Sequence, residues 1–154
     1  MKIYLAGPLF TTPEREWNAA FTRLLEAGGH EVFLPQAHEA PEPTGPAIFK
    51  KDLEGLDWAE GVVAIMDGPD PDSGTCWECG YAYARNKPVV LLRTDFRRPG
   101  DVRSIPYNAM LIGAADAHIE LPLGPLDACA AAVLDALQKL DGKALHHDER
   151  FEHH

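Results

Sequence analysis

The feature that most constrains the fold is a regular alternation of short apolar runs with longer helical stretches. Five runs are typical of buried strands: "KIYLAG", "HEVFLP", "GVVAIMD", "KPVVLLRTD" and "AHIELP". Helical patterns occupy residues 11–29, 46–60, the segment 67–90 and residues 125–142. Strands that alternate with helices form a parallel sheet covered on both faces. We therefore predict one α/β domain over residues 1–140, with a flavodoxin-like (doubly wound) five-stranded parallel sheet in the order 2-1-3-4-5.

Three segments lie outside this alternation. Residues 35–46 contain four prolines and are predicted to form a loop. Residues 95–117 are predicted to form a long, partly irregular loop. The polar, His-rich tail over residues 141–154 is predicted to be mobile.

Composition and net charge argue against some classes of binding partner and indicate the cellular compartment. The net charge of −10 argues against nucleic acid, because phosphate-binding proteins need a basic face. There is no run of 18 apolar residues to span a membrane, and "MKIYLAGPLF" fits a first strand better than a signal peptide. Three cysteines make no disulfide framework, so we expect a reducing cytoplasm.

The strand order predicts where a ligand binds. Ligands of such sheets lie beyond the carboxyl ends of the strands, where the order reverses. That point brings the loop Gly7–Thr12 beside the loop Asp67–Ser73, and Glu78 begins the helix that leaves the crevice. A carboxylate in a partly desolvated cleft can act as a covalent nucleophile, as in retaining glycosidases.

Glu78 also has a structural interpretation. Residues 75–78, Thr-Cys-Trp-Glu, match the S/T-x-x-E capping box, in which the glutamate only binds a backbone N–H group. Three aspartates within 67–72 and Gly74, which permits close backbone approach to a ligand, favour a binding site instead. The residues alone leave both interpretations open.

Asp52 is a second candidate. At 100° per residue, Ile48, Phe49, Leu53 and Leu56 form the apolar stripe of their helix, and Asp52 falls inside it. An inward-facing carboxylate is unfavourable unless it is paired or used. The alternative is an ion-paired aspartate, or one near the end of the helix that points outward to solvent.

The cysteines and arginines allow further alternatives. Cys76 and Cys79 form C-x-x-C, which we interpret as packing thiols rather than a redox pair; a zinc site would need two more ligands from the tail histidines. Arg97 and Arg98 could grip a phosphate or form surface salt bridges. Neither G-x-G-x-x-G nor a P-loop lysine follows the first strand, so dinucleotides and nucleoside triphosphates are poor candidates. No cofactor and no metal are predicted.

Several motifs together resemble the nucleoside 2-deoxyribosyltransferase family over most of residues 1–121. "IYLAGPLF" is similar to the family's first strand and loop, and "KKDLEGLD" to the helix that supplies an aspartate. "DSGTCWECGYAYARNKPVV" is similar to the D-x-G-x-x-x-E-x-G-x-A signature. "YNAML" is similar to an N-x-M pair that the family lends to a neighbouring subunit's active site.

The resemblance implies four catalytic residues. Glu78 would attack C1′ of the deoxyribose, and Tyr4 would orient the Glu78 carboxylate through its hydroxyl. Asp72 would hold a sugar hydroxyl, and Asp52 would approach the base as proton donor.

The resemblance also implies the substrate contacts. Asn108 would hold a sugar hydroxyl, and Phe10 and Met110 would pack on apolar surfaces of the substrate. The full predicted set of substrate-binding residues is Gly7, Phe10, Asp52, Asp72, Gly74, Asn108 and Met110.

The implied activity is transfer of the 2-deoxyribosyl group of a 2′-deoxynucleoside to another base, with retention of configuration. The expected partners are the nucleoside, the free base and further copies of this chain in a homo-oligomer with shared active sites. Two rivals remain: an N-glycoside hydrolase, in which water replaces the acceptor base, and a non-catalytic nucleoside-binding module. "GPLFTTPE" after the first strand lacks a Gly/Ser/Arg-rich phosphate loop, which favours an unphosphorylated nucleoside. The sequence does not decide between purine and pyrimidine bases.

Overall fold

The computed structural model describes residues 1–39 and 42–141 and contains a single five-stranded sheet. Its strands are β1 (Lys2–Ala6), β2 (Glu31–Phe33), β3 (Gly61–Ile65), β4 (Val89–Arg93) and β5 (Ala117–Glu120). Every pairing is parallel, and the order is β2-β1-β3-β4-β5. The predicted flavodoxin-like fold and strand order are confirmed.

Within residues 1–39 and 42–141, five helices cover the sheet. They are α1 (Thr12–Ala27), α2 (Gly45–Trp58), α3 (Ser73–Ala84), α4 (Ala109–Ala114) and α5 (Leu126–Asp141). Helix α1 begins with a capping box: the Thr11 side chain accepts from the Glu14 N–H, and the Glu14 carboxylate accepts from the Thr11 N–H. None of the described helices has the length and apolar character needed to cross a membrane.

The structure differs from the predicted loops at two places. Helix α4 lies inside the segment 95–117, where a six-residue helix is too short to give a periodic pattern. A 3₁₀ turn, Pro35–Ala37, begins the proline-rich segment 35–46. The predicted mobile tail lies outside the described residues except for Asp141, which ends α5.

Successive side chains of β1, β3 and β4 point alternately into two hydrophobic cores, one on each face of the sheet. In β1, Ile3 and Leu5 face α1 and α5, whereas Tyr4 and Ala6 face the side that α2, α3 and α4 cover. Strands β3 and β4 divide their side chains in the same way, and both are buried throughout. Tyr4, in the middle of β1, is thereby fully buried beneath α2 and α3.

Candidate active site

The start of α3 is built around Asp72 rather than Thr75. Asp72 is the N-cap, and its Oδ2 accepts from the Thr75 N–H at 2.9 Å and from the Thr75 hydroxyl at 3.2 Å. A Cβ on Gly74 would lie 3.1 Å from this Oδ2, so the glycine leaves room for the capping carboxylate. Thr75 is buried within the helix, and the capping-box interpretation of Glu78 is therefore wrong.

Glu78 is instead bound to the central sheet. The Tyr4 hydroxyl donates to Glu78 Oε1 at 2.5 Å, a contact between residues that lie 74 positions apart. Burial raises the pKa of Glu78 to about 7; the Tyr4 hydrogen bond opposes this rise, and the negative charges of Asp52 and Asp72 add to it. Burial and the adjacent Glu78 raise the pKa of Tyr4, which stays a protonated donor.

A cavity of about 340 Å³ opens above Glu78, between α2 and α3. Of the predicted site residues, it brings together Asp52, Gly74 and Glu78. Its remaining lining is Gly45, Ile48, Phe49, Leu53, Leu56 and Trp77.

Two aromatic rings at this cavity were not predicted as site residues. Phe49 and Trp77 meet edge to face, with ring centroids 5.8 Å apart. Both side chains are at least half exposed, so Phe49 and its neighbour Ile48 line the cavity instead of filling the core that the apolar stripe predicted. The available signal was proximity in sequence, because Phe49 is three residues from Asp52 and Trp77 is next to Glu78.

Asp52 lines two neighbouring cavities. It lines the cavity above Glu78 and also a smaller one of about 150 Å³, whose other lining residues are Pro35, His38, Glu39, Pro43, Ala47, Ile48 and Lys51. Burial, and after it the charge of Glu39, raises the pKa of Asp52. The side chain is half-buried and has no salt-bridge partner among the described residues, so the ion-paired alternative does not hold for Asp52.

The predicted residues after β1 lie outside the lining of the cavity above Glu78. A Cβ on Gly7 would lie 3.1 Å from Ile65 Cβ, so this glycine lets the loop pass close to the end of β3. The Phe10 N–H donates to Glu14 Oε2 at 2.9 Å, while the Phe10 ring is 71% exposed.

Asn108 and Met110 lie at a different cavity of the same chain. This second large cavity, of about 580 Å³, lies between α3 and α4, and its lining includes Cys76, Cys79 and Tyr83. Asn108 caps α4 by accepting from the Met110 N–H at 2.9 Å, and Met110 is 81% exposed. Within one chain these two residues therefore do not join Asp52 and Glu78, and their predicted role in a neighbour's site stays a prediction.

The cysteines have the packing positions that we predicted. Cys79 is buried in the core beneath α3, and Cys76 packs half-buried against the same core. All three cysteines are free thiols, and burial raises the pKa of Cys76 and Cys79. In the part of the chain that the structure describes, no group of three or more His, Cys, Asp or Glu side chains could hold a metal ion.

Arg97 and Arg98, which follow β4, both form salt bridges with carboxylates. Arg97 pairs with Asp95 at 2.5 Å, and Arg98 pairs with Glu120 at 2.7 Å. These salt bridges favour the structural alternative over the phosphate-binding one.

Lys87 and Tyr81 anchor the wall of the site, and sequence reasoning missed both. Lys87 Nζ donates to three carbonyl oxygens at the end of α2, those of Leu56, Asp57 and Ala59, at 2.6, 3.0 and 2.6 Å. The Tyr81 hydroxyl donates to Asp57 Oδ1 at 2.6 Å and thus joins α3 to α2. These contacts fix the C-terminal end of α2, the helix that bears Asp52, against α3 and the residues that follow it.

Known proteins are similar to this chain in sequence and in fold. The sequence profile described as nucleoside 2-deoxyribosyltransferase matches residues 3–110. A nucleoside deoxyribosyltransferase of Limosilactobacillus fermentum is 30% identical, over 59% of this chain and 64% of that protein, so the match spans less than two thirds of that relative.

Solved structures extend the comparison. The 2-deoxyribosyltransferase of Bacillus psychrosaccharolyticus is 29% identical with a TM-score of 0.65, covering 87% of this chain and 96% of that one. The CMP N-glycosidase BcmB of Clostridium botulinum shares the fold at 22% identity and a TM-score of 0.56, covering 92% of this chain and 98% of that one. With the matched profile spanning both Asp52 and Glu78, the chain belongs to the nucleoside 2-deoxyribosyltransferase family.

Proposed function

We propose that this protein transfers the 2-deoxyribosyl group of a 2′-deoxynucleoside to another purine or pyrimidine base through a covalent deoxyribosyl–Glu78 intermediate. The observation that carries the proposal is the Glu78 carboxylate, which faces a cavity and is fixed by the buried Tyr4 hydroxyl at 2.5 Å. A capping glutamate would need neither the cavity nor the tyrosine. Membership of the family supplies the substrate class.

In the first half of the reaction, a Glu78 carboxylate oxygen attacks C1′ as the bond from C1′ to the base nitrogen breaks. The electron pair of that bond goes to the base, which takes a proton from Asp52. The transition state resembles an oxocarbenium ion, and the anionic Glu78 stabilises its positive charge.

In the second half, a nitrogen of the acceptor base attacks C1′ on the face that the first base vacated. The bond from C1′ to Glu78 breaks, the carboxylate is restored and the acceptor returns a proton to Asp52. Two inversions retain the β configuration.

The remaining predicted residues would hold the substrate. Asp72 Oδ2 is occupied by the cap, which leaves Oδ1 to accept from a sugar hydroxyl beside Gly74. The exposed Phe10 ring, beyond Gly7, would pack on the substrate from the loop after β1. The Phe49 and Trp77 rings at the cavity give it an apolar wall on the side of the helices.

We further propose a homo-oligomer in which Asn108 and Met110 complete a neighbour's site. In one chain both residues lie at the α3–α4 cavity, away from Glu78, and the Met110 side chain is 81% exposed. Mixing Glu78→Ala with Asn108→Ala protomers under conditions of subunit exchange should restore activity, because some sites then receive an intact residue from each chain. A fully active monomer in sedimentation would contradict the sharing of sites.

Hydrolysis is the second candidate function. In one chain the rim residues Ile48, Phe49 and Trp77 are exposed, so water can reach C1′ unless an acceptor base or a neighbouring subunit covers the cavity. Water would then release free deoxyribose from the same Glu78 intermediate.

One assay separates the candidates. The protein is incubated with a 2′-deoxynucleoside and a different free base, and the products are separated by chromatography. A new nucleoside indicates transfer, and free deoxyribose with no new nucleoside indicates hydrolysis. A non-catalytic binding module would give neither product and would not be labelled at Glu78 by a 2-fluoro-2-deoxynucleoside.

A further inference from the structure

The small cavity beside Asp52 contains a second carboxylate, that of Glu39. We propose that Glu39, held in place by Arg15, is a positioning residue that keeps a fixed negative charge next to Asp52 and so helps Asp52 to retain the proton that it gives to the leaving base. The inference rests on the proposed function for the role of that proton. The electrostatic link between the two carboxylates can be tested without it.

Glu39 is fixed by a two-point ion pair. Arg15 Nη1 donates to Glu39 Oε1 at 2.9 Å, and Arg15 Nη2 donates to Glu39 Oε2 at 3.0 Å. Such fork-to-fork geometry fixes direction as well as distance. Arg15 Nη1 also donates to the Leu9 carbonyl at 3.4 Å, so the guanidinium bridges the loop after β1 and the loop before α2. The Arg15 hydrogen bonds hold the pKa of Glu39 below its usual range and keep it ionised.

Asp52 faces charged or titratable groups from four parts of the fold. The loop after β2 contributes His38 and Glu39, and α2 itself contributes Lys51. Glu78 of α3 shares the larger cavity with Asp52, and the Tyr4 hydroxyl of β1 lies behind Glu78.

Lys51 offsets this negative field only in part. Its Nζ lies 3.8 Å from Glu54 Oε2, on the exposed side of α2. The negative charge of Glu39 therefore adds to burial in favouring the protonated form of Asp52, in agreement with the raised pKa of that carboxyl.

A protonated Asp52 is what the first half-reaction requires. The negative charge of Asp52 raises the pKa of Glu78, so the two carboxyls are coupled. The proposed reaction needs the one proton of the pair on Asp52, with Glu78 ionised. Positive charge that develops on the deoxyribose beside Glu78 favours an ionised Glu78 and therefore a proton on Asp52. A fixed anion on the far side of Asp52 favours it further, because Glu39 lies at the small cavity and Glu78 at the large one.

The test is a titration of Asp52 by NMR in full-length protein labelled with ¹³C at the aspartate carboxyl carbon, with Asp52→Asn to assign the signal. Glu39→Gln keeps the shape and removes the charge, and we expect it to lower the Asp52 midpoint by about half a pH unit or more. Glu39→Asp keeps the charge and should hold the midpoint near that of the wild type. Glu54→Gln is the matched control, because this glutamate is on the same helix but lies in water beside Lys50 and Lys51.

The kinetic readout is the pH profile of kcat/KM for cleavage of a deoxynucleoside. Activity that needs one proton on the pair falls on both sides of an optimum, and Glu39→Gln should move the alkaline limb to lower pH while Glu54→Gln leaves it in place. An unchanged Asp52 midpoint in Glu39→Gln, or equal shifts in Glu39→Gln and Glu39→Asp, would overturn the inference. A wild-type protein that neither transfers nor hydrolyses would refute the proposed function, and the titration would still decide on Glu39.

Discussion

The two faces of the sheet differ, although the same strands contribute side chains to both. One face is covered by a closed hydrophobic core, and the other contains the candidate active site. On the α1–α5 face, Phe21 and Leu25 pack with strand side chains in a hydrophobic cluster, and the Trp17 and Phe21 rings stack 4.7 Å apart. On the α2–α3 face, the strands present Tyr4 beside Ala6 and Ala64, and the helices above leave the cavity at Glu78.

The difference lies in side chains one residue apart. Ile3 and Leu5 of β1 point into the closed core, and Tyr4 between them reaches Glu78. The closed face contributes free energy of unfolding through burial, whereas the other face holds a carboxylate whose ionised form is disfavoured by burial. Stability and chemistry are therefore expected to respond to mutations on opposite faces.

The largest effect should come from removing Glu78, the proposed nucleophile. Glu78→Ala should reduce the rate of transfer by at least about three orders of magnitude, the scale expected for loss of a covalent catalyst. The variant should still fold, because the cap of α3 belongs to Asp72. Single-turnover kinetics and circular dichroism measure the two properties, and near-full activity would return Glu78 to a structural role.

The opposite face should show the opposite pattern. Leu25→Ala removes a fully buried side chain of α1 and should lower the free energy of unfolding by about 2–5 kcal/mol. The rate per folded molecule should not change, because Leu25 belongs to the core on the other side of the sheet. Urea denaturation with activity measured below the transition tests this, and a large drop in kcat would show that the two faces are coupled.

Glu78→Gln should make the protein more stable at alkaline pH. The folded-state pKa of about 7 lies above the ordinary value of 4.5, so folding favours the protonated carboxyl, and wild-type stability falls as the pH rises from about 4.5 to 7. The amide avoids this loss, with a gain of about 1–3 kcal/mol at pH 8 that disappears near pH 4.5. Thermal unfolding at both pH values measures the gain, and equal differences at the two values would contradict it.

The smallest effect on activity is expected from the thiols of the α2–α3 face. Cys76→Ser combined with Cys79→Ser should leave transfer intact and lower the free energy of unfolding by about 1–3 kcal/mol, because the Cys79 site is buried. Cys129→Ser, in the other core, is the matched control. Loss of activity in the double variant alone, or dependence of the wild type on reductant or zinc, would revive the redox or metal alternative.

The sheet was predictable because each strand is a short apolar run and the helices between the strands force parallel pairing. The order 2-1-3-4-5 and the crevice near Glu78 followed from that topology. Helix α4 was not predictable, because six residues give no periodicity and its cap, Asn108, is a common loop residue.

The site was predictable in part. The position of Asp52 inside an apolar stripe indicated a half-buried carboxylate, and the structure has one. No local pattern could reveal that Tyr4 reaches Glu78 or that Arg15 holds Glu39, because both contacts join separate elements; the first came from the resemblance to the family alone. The apolar stripe also misplaced Phe49, since periodicity does not distinguish a core from the wall of a cavity.

The three carbonyl contacts of Lys87 have a consequence for which end of helix α2 can open locally. The last turn of α2 is tied down by Lys87 and packs through Leu56, whereas residues 45–51 are exposed throughout. Local opening is easiest where few buried contacts and many exposed backbone hydrogen bonds occur. We therefore expect helix α2 to open from Gly45 inward and to stay anchored near Leu56. Such opening would widen the mouth of the cleft for the proposed substrate while the floor, with Tyr4 and Glu78, keeps its shape.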